Sequence, residues 1–165
     1  MTRDPERFRR LCGQYRWLAV FMVASVGLLL VVANLIVPLV YWGRAPTPNF
    51  GREVAAAVIW IVPALCYLFG VWSIGAGMGQ LAKGRLIQPT LASTLRRVGL
   101  SLGFGGVISV FVVTNLLRII GHTKGGYLHF DVAGMTLGMI GGALFLLGRV
   151  VDQAGAVQAE LDEMI

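Results

Sequence analysis

Four long stretches with almost no charge constrain this chain more than any other feature of its sequence. They run from Trp17 to Tyr41, Val54 to Gly77, Val98 to Ile120 and Val132 to Val151. The first two contain no charged residue, and the last two contain only Arg118 and Arg149, each close to an end. A helix rising about 1.5 Å per residue needs roughly 20 residues to cross about 30 Å of hydrocarbon. Each stretch is long enough. Lipid offers no partner for open backbone groups, and the pattern is not the short alternating one of barrel strands, so the stretches predict α-helices. Composition agrees: the chain is 56% hydrophobic and 13% charged, too apolar for a soluble core of 165 residues to absorb. The fold class expected is an all-α membrane protein with four transmembrane helices.

The expected organisation follows from those runs. A cytoplasmic amphipathic arm covers 1–16, and transmembrane helices cover 17–41, 54–77, 98–120 and 132–151. External loops occupy 42–53 and 121–131, a basic cytoplasmic loop with the start of the third helix occupies 78–97, and an acidic helical tail occupies 152–165. The first apolar run is about twice the length of a signal-peptide core, so a retained anchor is expected rather than a cleaved leader.

Charge orients these segments. Arg3, Arg7, Arg9, Arg10, Arg16, Lys83, Arg85, Arg96, Arg97 and Arg149 fall on one side, whereas Arg44, Arg52, Arg118 and Lys124 fall on the other. Ten against four, in short connections, puts both termini in the cytoplasm by the positive-inside bias. The net charge of +6 is thereby explained by topology and anionic lipid, and direct nucleic-acid binding is not expected. Trp17, Trp42 and Trp72 suit the headgroup level; Trp60 fits less well and is expected against another helix.

The ends of the apolar runs carry local signals. Asp4 is a helix cap, Pro5 suits the first helical position, and Phe8, Leu11, Cys12 and Tyr15 share a face, which predicts an interfacial helix leading into the first span. Pro89 and Thr90 read as the start of the third helix, two turns before the lipid. Val150, Ala154, Val157, Leu161 and Met164 make an apolar stripe that extends the fourth helix beyond Arg149. The third helix starts inside and the fourth ends inside, so Arg96 and Arg97 should approach Asp152. A cytoplasmic docking surface built from Lys83, Arg85, Arg96, Arg97, Asp152, Glu160, Asp162 and Glu163 is the sharper expectation; helix-end electrostatics is the plainer one.

The chain has 22 glycines, and several are placed at four-residue spacing: Gly134, Gly138 and Gly142, Gly99 and Gly103, Gly75 and Gly79. Small residues let helices approach closely in lipid, so these predict packing among the four helices, with a homodimer seam through the fourth as the alternative. Pro38 and Pro63 should kink their helices mildly.

Reactive chemistry is sparse. No ionisable residue lies near the middle of any apolar run, which argues against a proton-coupled carrier; Asn34 and Asn115 are the nearest polar groups, with interhelical hydrogen bonds as their expected role. Cys12 and Cys66 stand alone and form no redox pair. No histidine lies in a span, where haem ligation or serine proteolysis would need one. His122 and His129 with Asp131 are at most a weak metal site in an outer loop. No catalytic residue, resident metal or cofactor is expected.

Two segments carry a family resemblance. The stretch Gly-Arg-Leu-Ile-Gln-Pro-Thr-Leu-Ala-Ser-Thr-Leu-Arg-Arg-Val-Gly, Gly84 to Gly99, resembles the loop and helix start of the bacterial membrane family called domain of unknown function 2975. The tail from Val150 to Ile165 is similar to that family's C-terminal signature, with Glu160, Asp162 and Ile165 in matching places. Leu86 and Ile87 stand where the family has an aromatic residue, and Glu163 and Met164 depart from its usual Leu-Thr. The resemblance implies a small four-helix protein of the bacterial inner membrane, of unknown activity, often encoded beside a helix-turn-helix regulator. The function expected is a non-enzymatic membrane sensor or anchor engaging a cytoplasmic regulatory protein. A small oligomeric permease or channel-like protein, with Asn34 and Asn115 lining a path, is the alternative.

Overall fold

The computed structural model describes residues 5–44, 48–83, 87–121 and 131–163, and every regular element among them is helical. Four long helices form. Helix α1 covers 5–44, as an α-helical stretch Pro5–Val31, one π-helical turn Val32–Ile36 and a further α-helical stretch Val37–Arg44. Helix α2 is Phe50–Ala82. Helix α3 covers 87–119, again interrupted by a π-helical turn, Ile108–Val112, between Ile87–Val107 and Val113–Ile119. Helix α4 is Val132–Glu163. All four are long and apolar enough to cross a membrane.

Their ends follow local chemistry. Pro5 opens α1, where its missing N–H is one that no helix uses; Asp4, its expected cap, lies outside the described residues. The arm and the first span are one uninterrupted helix, which corrects the separate interfacial helix expected for 1–16. Between Arg10 and Trp17 there is no proline and only one glycine, Gly13, whose cost of about 1 kcal/mol does not end a helix that continues into a long apolar run. Helix α2 starts on the Asn49 carbonyl, which accepts from Arg52 and Glu53 N–H at 2.9 and 3.2 Å. Helix α3 begins two residues before Pro89, which sits in the first turn, where its missing N–H costs no hydrogen bond. It ends at Gly121, whose φ of 71° places the left-handed residue that closes many helices. Asp131 caps α4: its Oδ1 accepts from Ala133 N–H at 3.1 Å and its carbonyl from Met135 N–H at 2.9 Å.

The first π-helical turn has a visible cause. Pro38 has no N–H, and its ring would meet the Asn34 carbonyl in a regular helix. Widening the preceding turn, with Val37 N–H donating to Val32 O, moves that carbonyl aside. Asn34 lies in this turn and donates from Nδ2 to Leu30 O at 3.0 Å; Asn115 donates to Phe111 O at 2.7 Å. Both of these bonds lie within the residue's own helix. Pro63 is buried inside α2, which continues through it.

The helices pack in chain order, α1 on α2, α2 on α3, and α3 most closely on α4. Among the described residues and beyond isolated contacts, α1 touches neither α3 nor α4, and α2 does not touch α4. The helices thus pack among themselves, as the glycines predict, in an open row. None of the most apolar stretch of α1 is buried, against a third of that of α3. A small apolar core of Ala56, Val113 and Leu117, with Ile59, Ile108 and Ile120 against it, joins α2 to α3 near the end formed by residues 50 and 119. Trp60 is half exposed.

The α3–α4 contact is a glycine seam between antiparallel helices. A Cβ at Gly99 would come within 2.5 Å of Phe145 N and 2.6 Å of Gly141 O. One at Gly106 would come within 2.5 Å of Gly134 O and 2.8 Å of Gly138 Cα. Gly141 presses on the backbone of Gly99 and Gly103, and Gly148 on that of Ala92. Backbones this close gain dispersion contacts that larger side chains would prevent. Gly142 takes no part: a Cβ there would meet nothing within 4 Å. At about 100° per residue, a step of four drifts about 40° around the helix, so the series 134, 138, 142 has left the seam by its third member. Steps of four, three and seven, through 138, 141 and 148, stay on it.

Candidate functional site

Where α3 starts and α4 leaves its apolar stretch, the seam changes from backbone contact to polar rungs. Arg96 Nη1 lies 3.3 Å from Asp152 Oδ2, as the charge pattern predicted. Both side chains are nearly half exposed, at 47% and 45%, so the pair contributes at most about 1 kcal/mol. About two turns further out, Gln88 Nε2 donates to Gln158 Oε1 at 2.6 Å. Arg149 is held over the Phe145 ring, 5.6 Å from its centroid, on the same helix. These contacts extend the hairpin beyond the last apolar turns as a single stiff unit.

The eight residues expected in one docking surface do not gather there. Arg96 and Asp152 meet. Arg97, the next residue in sequence, turns about 100° away and lines a groove of about 450 Å³ between α2 and α3, with Leu65, Phe69 and Phe104. Lys83 closes α2 beside Arg16 of α1. Glu160 is exposed near the end of α4. Arg85 and the side chains of Asp162 and Glu163 lie outside the described residues. The apolar stripe is present: Val150 and Val157 are more than half exposed, with exposed Ala154 between them, while Val151 and Gly155 turn inward. Leu161 and Met164, its outer members, are not among the described side chains.

A second polar site was missed by the sequence reading. Ser109, in the π-helical turn of α3, donates to Asp131 Oδ2 at 2.8 Å. Ser109 stands twelve residues from Arg97 and nine from Arg118, roughly 18 and 14 Å along the helix. The carboxylate therefore sits level with the middle of the uncharged stretch of α3. The sequence pattern places Asp131 only in an outer loop and does not bring it beside Ser109. Asp131 precedes its own apolar run in sequence, but α4 begins about three turns below the end of α3. The Tyr67 ring lies over Gly105 on the same stretch, and its hydroxyl is buried with no hydrogen-bond partner among the described residues. The signal in the sequence was the glycine register: pairing Gly99 with Gly141 and Gly106 with Gly134 carries Asp131 to Ser109. His122 and His129, its expected companions in a weak metal site, lie outside the described residues; Asp131 serves as cap and Ser109 acceptor.

The described chain is therefore an all-helical protein with four helices fit to cross a membrane. No family model, curated protein or solved structure matches it.

Proposed function

We propose that this chain is a non-enzymatic, multi-pass protein of the bacterial inner membrane, both termini cytoplasmic, whose α3–α4 hairpin holds a water-soluble protein. One observation carries the docking role: the Val150–Ala154–Val157 stripe is exposed on a helix that the glycine seam and the Arg96–Asp152 and Gln88–Gln158 contacts hold rigid. Beyond the lipid, an apolar stripe on a fixed helix is the kind of surface an amphipathic helix covers. The ten-to-four distribution of Lys and Arg supports the cytoplasmic side for it. The occupant we infer is a helix of a cytoplasmic regulatory protein, in line with the resemblance of 84–99 and 150–165 to domain of unknown function 2975. No catalytic residue or cofactor is part of this reading. Affinity capture from solubilised membranes tests it. Val150→Asp with Val157→Asp should abolish recovery of a defined partner, and recovery unchanged from wild type would refute the docking role.

A small oligomeric permease is the second reading, and one observation favours it: Asp131 is held at the mid-level of α3. Asn34 and Asn115, the earlier candidates for a path, bond to their own helices. Purified protein in vesicles loaded with a pH-sensitive dye should then dissipate an imposed gradient, and Asp131→Asn should stop it. Dye traces matching empty vesicles would sink this reading.

A further inference from the structure

At the end of α2 where its last turn meets α1, two basic side chains share one groove that no acidic side chain lines among the described residues. The groove, about 180 Å³, is walled by Ala19 of α1 and by Trp72, Gly75 and Ala76 of α2, and its mouth carries Arg16, Gln80 and Lys83. The helices approach closely here because Gly75 faces Ala19: a Cβ on Gly75 would lie 2.9 Å from that of Ala19. Gly79 gives the Arg16 side chain room to lie flat on α2. A Cβ there would lie 2.9 Å from Arg16 Cδ and 3.6 Å from Nη1. The guanidinium is thus drawn back over α2, on the same side as Lys83. Neither Arg16 nor Lys83 forms an ion pair among the described residues.

Depth identifies the ligand class. Arg16 stands one residue before the apolar run 17–41 and Lys83 six residues after the run 54–77, so both lie at the polar ends of their runs. The basic mouth therefore lies at headgroup level and the apolar walls run along the acyl chains. We infer that this groove is a binding site for one anionic phospholipid, its phosphate between Arg16 and Lys83 and one acyl chain lying along Ala19, Ala76 and Trp72. Arg16 supplies a planar fork for two phosphate oxygens, Lys83 a point charge, and Gln80 an amide donor at the rim. A zwitterionic lipid would bring its own cation to the same mouth and lose the attraction. The inference stands apart from the docking role, since it uses the other pair of helices.

Native mass spectrometry of the full chain in detergent tests it, with phosphatidylglycerol and phosphatidylcholine of identical acyl chains. The wild type should retain phosphatidylglycerol selectively. Arg16→Gln with Lys83→Gln should weaken that retention by about 25-fold, about fivefold for each charge removed near the headgroups. Arg149→Gln, at the same end of the molecule but on α4, should leave it unchanged. Ala76→Trp keeps both charges and fills the acyl path, so it should also weaken retention, and helix content by circular dichroism checks that each variant is folded. Equal retention of the two lipids by the wild type would overturn the inference. So would wild-type selectivity in both groove variants, or displacement of the lipid by inorganic phosphate, which would make the site one for a free anion.

Discussion

Replacing Gly141 by Ala tests the seam at its tightest point, and its neighbour Gly142 supplies the control. A methyl at 141 would meet backbone from two residues of α3, Gly99 O at 2.7 Å and Gly103 Cα at 3.0 Å, with Gly103 N closer still. Ordinary contact begins near 3.4 Å, and backbone cannot swing aside as a long side chain can. The helices must part by most of an ångström, and a gap of 0.5–1 Å forfeits about a quarter to a half of each contact's attraction along the seam. Overpacking of this kind costs about 1–3 kcal/mol, and the better helix propensity of Ala returns up to about 1 kcal/mol. Gly141→Ala should therefore destabilise the protein by about 1–2 kcal/mol. Gly142→Ala meets nothing within 4 Å and keeps the propensity gain, so it should be neutral or stabilising by up to about 1 kcal/mol. Reversible unfolding with rising SDS mole fraction in mixed micelles, followed by circular dichroism, reads the difference as opposite shifts of midpoint. Equal midpoints for the two variants would refute the seam register, and a larger loss at 142 would restore the strict four-residue spacing.

Three further outcomes follow from the same geometry. Asp131→Ala removes both the cap on α4 and the Ser109 bond, whereas Ser109→Ala removes only the latter; the losses should be about 2–3 and about 1 kcal/mol in the same unfolding assay. Asp152→Asn should cost under about 1 kcal/mol, and the cost should shrink as salt rises from 0.05 to 0.5 M, as expected for a half-exposed pair. Pro38→Ala restores an N–H at the position that forces the Asn34 carbonyl aside, so it should stabilise α1 slightly, read as increased amide-exchange protection at Val37 to Leu39.

The parts of the fold that hydropathy and end signals govern were legible in the sequence. The four apolar runs, Pro5 at the start of α1, the continuation of α4 past Arg149 and the approach of Arg96 to Asp152 all follow from charge, period and helix length. What escaped was the identity of neighbours. Hydropathy says which residues tolerate lipid, but lipid and a neighbouring helix are equally apolar, so nothing in it separates an open row from a closed bundle. The seam is made by backbone atoms, and a glycine that presents its backbone to a partner looks the same in sequence as one that faces lipid; Gly141 and Gly142 are adjacent and opposite in role. The place of Asp131 beside Ser109 escaped for a related reason. Its depth depends on where α4 sits beside α3, a register carried by weak small-residue spacing rather than by its own position at the edge of an apolar run.

The proposed docking role depends most on the exposed Val150–Ala154–Val157 stripe of α4. A photo-crosslinking amino acid at position 157, irradiated in intact cells, tests it most directly, with one at Ile119 as a lipid-level comparison. The account predicts a single discrete adduct from 157 to a water-soluble protein, lost when Val150→Asp is added, and none from 119. An adduct of twice the chain's own mass, or only lipid adducts at 157, would contradict it.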